Sequence, residues 1–261
     1  VRGYKIRLPL DLLLVASANP EDYTNRGRII TPLKDRFGAQ VRTHYPFDVP
    51  TELAIVEQEA AELDGLGVRV HVPAFMAEVV GTVSHLARAS SHVNQRSGVS
   101  VRLTIANTET MVANAVRRAL RMGEPDAVPR VSDLDALVAS TAGKIEIETL
   151  EEGQDGAIIE RLIQSAVLAV FKRHCPLALF GDVVAAFDGG VVVHAGDDVP
   201  TTAYTQVLTD LPALHGPVVR LAQEETPAAV ASAVELVLEG LHLSRRLNKD
   251  AVAGRATYRS R

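Results

Sequence analysis

The residues best placed to do chemistry lie between Leu12 and Gly38, in LLLVASANPEDYTNRGRIITPLKDRFG. Leu12 to Ala16 form a continuous apolar run whose length suits a strand buried on both faces. Pro20 stops that strand, so Asn19 falls at the C-terminal edge of a sheet, where open α/β folds bind ligands. A side-chain amide there can orient a water, although Asn-Pro after a strand also reads as an ordinary turn. Further on, Thr31 to Phe37 reads as a short amphipathic helix with Gly38 as its C-cap. Leu33 and Phe37 would pack and so aim the Arg36 guanidinium, which suits a phosphate. The plain alternative for Arg36 is a surface or salt-bridging arginine.

Other residue types offer less. The eight histidines include no HExxH and no paired ligand spacing, so no zinc site is expected. Ser17 sits in ASAN and not in a GxSxG elbow. Cys175, the one cysteine, follows a helical stretch and precedes Pro176, which reads as a buried small hydrophobe. It permits no internal disulfide and suits a reducing compartment. Asn25, Arg26, Gly27 and Arg28 could grip a nucleotide or client, with a solvated loop as the default. Arg117, Arg118 and Arg121 share one helix and read as a solvated face that could meet an acidic partner.

The elements that must position these groups follow from the hydrophobic period. Tyr4 to Arg7 alternate, Leu12 to Ala16 would be a strand, and Gln40 to His44 a short second strand. A parallel sheet is implied, which one strand cannot make. From Pro50 the period becomes helical, with Leu53, Val56 and Ala60 on one face and Thr51 as a plausible cap. Helices are expected over about 50 to 63, 73 to 90, 104 to 122 and 131 to 141. The acidic, Gly-containing stretch Glu146 to Gly156 reads as a linker. Ala157 to His174 and Ala228 to Leu247 are strongly amphipathic. Val191 to His194 could be a short strand or a helix end, and Asp250 to Arg261 reads as a frayed tail.

Composition bounds the class. The 261 residues are 47% hydrophobic with a net charge of -5, which argues against a general nucleic-acid or membrane-surface binder. No apolar run approaches the roughly 18 residues of a membrane span. Aromatics are 4% with no Trp, so the core must rest on Ala, Val and Leu. The chain begins at Val1 inside a strand pattern and reads as a truncated product.

Taken together, these segments resemble the second half of a P-loop ATPase module of the AAA+ class, in particular the magnesium chelatase I subunit and its MoxR-type relatives, over roughly Gly3 to Leu120. GYKIRLPLDLLLVASANP resembles the hairpin strand before sensor 1 followed by the sensor 1 strand. The resemblance implies that Asn19 is sensor 1. It also implies that Arg36, in LKDRFG, is the arginine finger acting on ATP held by a neighbouring subunit. SGVSVRLT, Ser97 to Thr104, resembles the start of the third lid helix, where Arg102 matches sensor 2 and Arg96 is the nearby competitor. Outside that context Arg102 reads as a solvated first-turn residue. The implied fold is mostly α with a partial α/β P-loop core. An AAA+ core remnant would span 1–47, a helical lid 48–145, and a mostly helical extension 146–261.

Phosphoryl transfer is catalysed mainly by positioning and by neutralising charge on the γ-phosphate. A finger that cannot reach its own nucleotide requires a head-to-tail contact, which closes into a ring where the rotation permits. The resemblance therefore implies a cytoplasmic homo-oligomeric ring of about six protomers, as rings of this class are built, acting on a protein client or partner subunit. No GxxxxGK[ST] occurs in the 261 residues and no strand ending in paired acids precedes Leu12. ATP and Mg²⁺ would thus be held mainly by residues outside this chain, which alone should be inactive. Nothing here resembles the integrin-like metal-binding domain of the chelatase partner subunit. Two other readings remain: a non-catalytic interaction module, or a fragment of a sigma-54-type activator, for which no GAFTGA-like loop or helix-turn-helix is visible.

Overall fold

Long stretches with a helical apolar period become the helices of one larger unit. The computed structural model describes residues 11–17, 35–61, 67–95, 97–148, 153–224, 226–252 and 254–261. They fall in two units, Val1–His44 and Tyr45–Arg261.

In the larger unit, α1 spans Val49–Glu59, α2 Ala74–Ala89 and α3 Arg102–Met122. A 3-10 turn over Val131–Ala136 runs into α4, Leu137–Ala142, where a single helix was expected. Then follow α5 (Asp155–His174), α6 (Gly181–Asp188), α7 (Thr201–Asp210), α8 (His215–Ala222) and α9 (Pro227–Leu243). The cap of α1 is Asp48 and not Thr51: Asp48 Oδ1 accepts the Thr51 amide at 2.8 Å. Thr226 caps α9 in the same way, with Pro227 at its first turn. Gly123, at φ 68°, ends α3 in the left-handed conformation that most side chains resist. Asp155 opens α5 while Lys172, Arg173 and His174 close it, so its charges oppose its dipole at both ends.

The core has one centre. Phe75, Val79 and Val83 of α2 and Ile159, Val167 and Phe171 of α5 belong to the same buried cluster as Val234, Leu238 and Leu241 of α9. That cluster runs across residue 145, where a domain boundary was expected. From Ala228 to Leu241 every residue of α9 is buried, as expected of a helix surrounded by protein on all sides. Its four Ala residues and Gly240 let neighbours approach closely, which is how a core poor in aromatics is filled.

Two small sheets complete the unit. Strands β1 (Arg69–Val70) and β2 (Asp126–Ala127) pair in parallel. Strands β3 (Val193–Gly196), β4 (Asn248–Val252) and β5 (Arg255–Arg259) form an antiparallel sheet in the order β3-β5-β4. The tail expected to fray is therefore a hairpin. Tyr258 anchors it, 2% exposed, with its hydroxyl donating to Glu239 at 2.6 Å. Gly254, at φ 81°, supplies the turn. Of Val191 to His194, Val193 and His194 open strand β3 and the two residues before them lie outside it.

The smaller unit departs from expectation. Among its described residues none lies in a strand, neither in Leu12 to Ala16 nor in Gln40 to His44. Leu12, Leu13, Leu14 and Val15 are 64 to 89% exposed. A strand buried on both faces needs a ladder on each side, and the described residues provide none. The partial α/β core expected over 1–47 is thus not seen in them. Among the described residues no helix is long and apolar enough to cross a membrane.

Gly240 marks the tightest approach in the core. A Cβ built there would lie 2.1 Å from Phe171 Cγ and 2.2 Å from its Cδ2. Alanine would gain about 1 kcal/mol of helix propensity, yet overpacking a rigid ring costs about 1–3 kcal/mol or more. Gly240→Ala should therefore lower stability in urea unfolding. A more stable variant would show that α5 and α9 can separate freely.

Candidate functional site

Asn19, the expected sensor 1 residue, lies outside the described residues. Arg36 occupies an exposed turn of the smaller unit, and Arg102 is the exposed first residue of α3 in the larger one. Each is described within its own unit. Arg96, the competitor for Arg102, also lies outside the described residues.

Arg102 stands on a rigid base. Two residues on, Thr104 is fully buried and its hydroxyl donates to Glu52 Oε1, while Ser84 Oγ lies 2.7 Å from Thr104 Oγ1. Arg88 clamps the same carboxylate through both terminal nitrogens, Nη1 to Oε2 at 2.6 Å and Nη2 to Oε1 at 2.8 Å. Its Nε donates to the Val99 carbonyl at 2.9 Å, tying in the segment that leads into α3. His85 Nε2 lies 2.9 Å from Glu52 Oε2, and the Tyr45 ring lies 4.9 Å beneath the Arg88 guanidinium. Gly98, at φ 71°, is required here, because a Cβ would meet Tyr45 Oη at 2.2 Å. The result is an exposed guanidinium at the positive end of a helix dipole, both favouring an anion. Glu52 was missed in the sequence. The available signal was its place one turn before Val56, on the face that α1 buries.

A second set of buried charges lies farther along α3. Arg118 is 2% exposed and not part of a solvated face. Its Nη2 donates to Asp133 Oδ2 and to the Val128 carbonyl, both at 2.8 Å. Asp133 also accepts Asn114 Nδ2 and the Arg130 amide, each at 2.8 Å. Arg130 donates to the Val199 carbonyl at 2.9 Å and stacks 4.9 Å over the Tyr204 ring. Of the other two arginines read as solvated, Arg121 donates to the Asp197 carbonyl at 2.7 Å and Arg117 to Asn114 Oδ1 at 2.5 Å. These bonds hold α3, the 3-10 turn and α7 together, while Arg118 Nη1 and Arg130 Nε stay buried without a hydrogen bond.

Beside that set lies a cavity of about 430 Å³, walled by the 3-10 turn, α5, α9 and the three-stranded sheet. Glu235 and Glu239 enter it from α9, one turn apart. Glu235 accepts the Ser132 amide at 2.8 Å and the Tyr204 hydroxyl. Glu239 Oε2 accepts Lys249 Nζ at 2.7 Å and Tyr258 Oη at 2.6 Å. Burial, then the neighbouring carboxylate, pushes both phenols well above their ordinary value, so they remain fixed donors at neutral pH. Burial also raises the Asp135 carboxyl; Lys249 opposes the shift, and Asp197, Glu239 and Glu160 add to it.

Among the described residues no group of three or more His, Cys, Asp or Glu side chains could hold a metal ion. Cys175 is 2% exposed and burial pushes its thiol up to about 11, which keeps it protonated and unreactive.

Two outcomes are expected. Glu52→Ala leaves the Arg88 guanidinium without its carboxylate and should cost about 3–5 kcal/mol in denaturant unfolding, with Glu52→Gln losing less. A loss below about 1 kcal/mol would place the clamp among ordinary surface pairs. For Asp135, the raised pKa means that the folded protein holds the proton more tightly than the unfolded chain. Its ionised form therefore opposes folding above the folded pKa and no longer does so below the ordinary carboxylate value. Because Asp135 is also exposed to solvent, the effect should be small: Asp135→Asn should raise the thermal midpoint slightly at neutral pH, and the gain should vanish as the pH falls through the carboxylate range. A midpoint lowered at neutral pH would reverse that sign.

Comparison with protein-family models, with curated proteins and with solved structures finds no match to this chain.

Proposed function

We propose that this chain supplies the sensor, finger and lid portion of an AAA+ ATPase similar to the magnesium chelatase I subunit and MoxR-type proteins. In this reading Asn19 orients the attacking water, Arg36 acts on ATP held by a neighbouring protomer, and Arg102 senses the phosphates from the lid. The observation that carries it is the position of Arg102. It is exposed at the first turn of α3, on a backbone fixed by Gly98 and by the buried Glu52, Arg88 and Thr104. A guanidinium meant to couple nucleotide state to lid angle needs such a base, because slack in the base would absorb the motion.

ATP and Mg²⁺ would be bound mainly by a phosphate loop and acidic pair outside these 261 residues. The working form would be a homo-oligomeric ring, and the output would be remodelling of a protein client. An arginine supplied across an interface contributes about 10³ to 10⁵ in rate, or roughly 4–7 kcal/mol of barrier.

The test is ATP turnover by the polypeptide extended through its upstream coding sequence, with ATP binding measured in parallel. Arg36→Ala should reduce turnover by about 10³-fold or more while leaving binding nearly unchanged. Arg102→Ala should weaken both. Unchanged turnover in the Arg36 variant removes the finger role. Failure of the extended protein to bind ATP at all leaves the reading of a non-catalytic interaction module in its place.

A further inference from the structure

The turn that leaves α9 holds an arginine where glycine is the ordinary choice, and no part of the nucleotide reading uses it. The helix ends in a Schellman turn: the Arg245 amide donates to the His242 carbonyl and the Arg246 amide to the Leu241 carbonyl, both at 2.8 Å. Such a turn needs one left-handed residue, and Arg245 takes that place at φ 60°. The same pair of bonds ends α3, where the left-handed residue is Gly123. Glycine suits that place because any Cβ is crowded there. An arginine at such a position brings only its side chain in compensation.

Two more guanidinium groups gather at this turn. Arg246 follows directly, and Arg261, beyond β5, donates from Nη1 to the Arg245 carbonyl at 3.1 Å. All three residues are exposed. Among the described residues none of the three makes an ion pair, whereas the arginines of β5 do: Arg255 pairs with Asp198 at 2.5 Å and Arg259 with Asp250 at 2.9 Å. Asp188 comes near, but it accepts the Ser260 hydroxyl at 2.5 Å. The negative pole of a helix amounts to about half a charge. Most of the positive charge of this turn is therefore unanswered, on a chain whose net charge is -5.

We propose that Arg245, Arg246 and Arg261 form a docking point for a phosphorylated side chain of a partner protein. A phosphomonoester matches three guanidinium groups better than a carboxylate does, because it carries nearly two charges and three acceptor oxygens for charge-assisted bonds. The three residues stand on the open surface and do not line the cavity beside α9. Small molecules are held in concave sites that bury most of their surface, so a free phosphate would gain little here. A protein segment brings further contacts of its own. A long polyanion such as nucleic acid needs a basic track, which one turn on a negatively charged chain does not supply.

The test is retention of the 261-residue protein on immobilised peptides with random flanks around a fixed central phosphoserine. Matched pools carry serine or glutamate at the centre, and all are run at physiological ionic strength, where attraction is screened beyond about 8 Å. Retention on phosphoserine should exceed that on both other pools about tenfold or more. Arg245→Gly separates the side chain from the backbone. It keeps the left-handed turn, so its thermal midpoint should be no lower than that of the parent, yet retention should fall about tenfold or more. The double variant Arg246→Gln, Arg261→Gln should lose retention likewise, with a thermal unfolding curve to verify that it is folded. No retention on phosphoserine, equal retention on glutamate, or unchanged retention in either folded variant would overturn the proposal.

Discussion

A helix surrounded by protein cannot carry charge unless that charge is answered, and α9 carries two carboxylates one turn apart. Glu235 and Glu239 are 2% and 4% exposed, and the desolvation of each would cost several kcal/mol if left unmet. Much of the architecture around α9 reads as the answer. The 3-10 turn brings the Ser132 amide, α7 brings the Tyr204 hydroxyl, and the C-terminal hairpin brings Lys249 and Tyr258. Each donor comes from a different element, so satisfying one helix fixes the relative placement of several. Hydrophobic burial supplies most of the free energy, but these bonds select which arrangement of the helices it stabilises.

The same logic operates at the other end of the unit on a smaller scale. Glu52 is wholly buried, and its oxygens gather Arg88, Thr104 and His85 from two helices. The start of α3 is tied down by these bonds, although helix ends ordinarily fray. The two polar centres differ in what they leave over. Around Glu52 the donors outnumber the acceptors, and the exposed residue above them is a cation. Along the cavity the acceptors outnumber the donors. An end rich in donors and a cavity rich in acceptors are thus carried by one compact unit, joined through α3 and the packed faces of α2, α5 and α9.

Legibility in the sequence followed the strength of the apolar period. The stretches that became α2, α3, α5 and α9 each bury a face wide enough to leave a 3.6-residue signature, and their ends were found within a few residues. The hairpin NKDAV and RATYR left almost none, because Tyr258 is its one fully buried side chain and the rest is polar or small. Leu12 to Ala16 shows the reverse failure: apolar run length speaks for a buried strand, yet burial depends on partners that no run can specify. The charged centres were the least visible. Arg118, Arg130, Asp133 and Glu52 look like surface residues in the sequence, since residue type reveals a charge and not the counter-charge that folding brings to it. Arg102 was singled out by the resemblance of SGVSVRLT alone, and its exposed place at the start of α3 also fits the solvated first-turn arginine that the residues by themselves suggest.

The order of the answering groups along the chain has a temporal consequence. Lys249 and Tyr258 follow Glu239 in synthesis, so α9 leaves the ribosome before the residues that neutralise it. Until the hairpin emerges, the helix can either stay unburied, exposing its Val and Leu side chains, or enter the core with an uncompensated carboxylate. Both intermediates are unfavourable, so docking of α9 must wait for the strands that follow it. The nascent unit would then hold an apolar helix open for the time taken to translate the 16 residues from the end of α9 at Leu243 to the end of the hairpin at Arg259, at ≈ 5–20 residues per second.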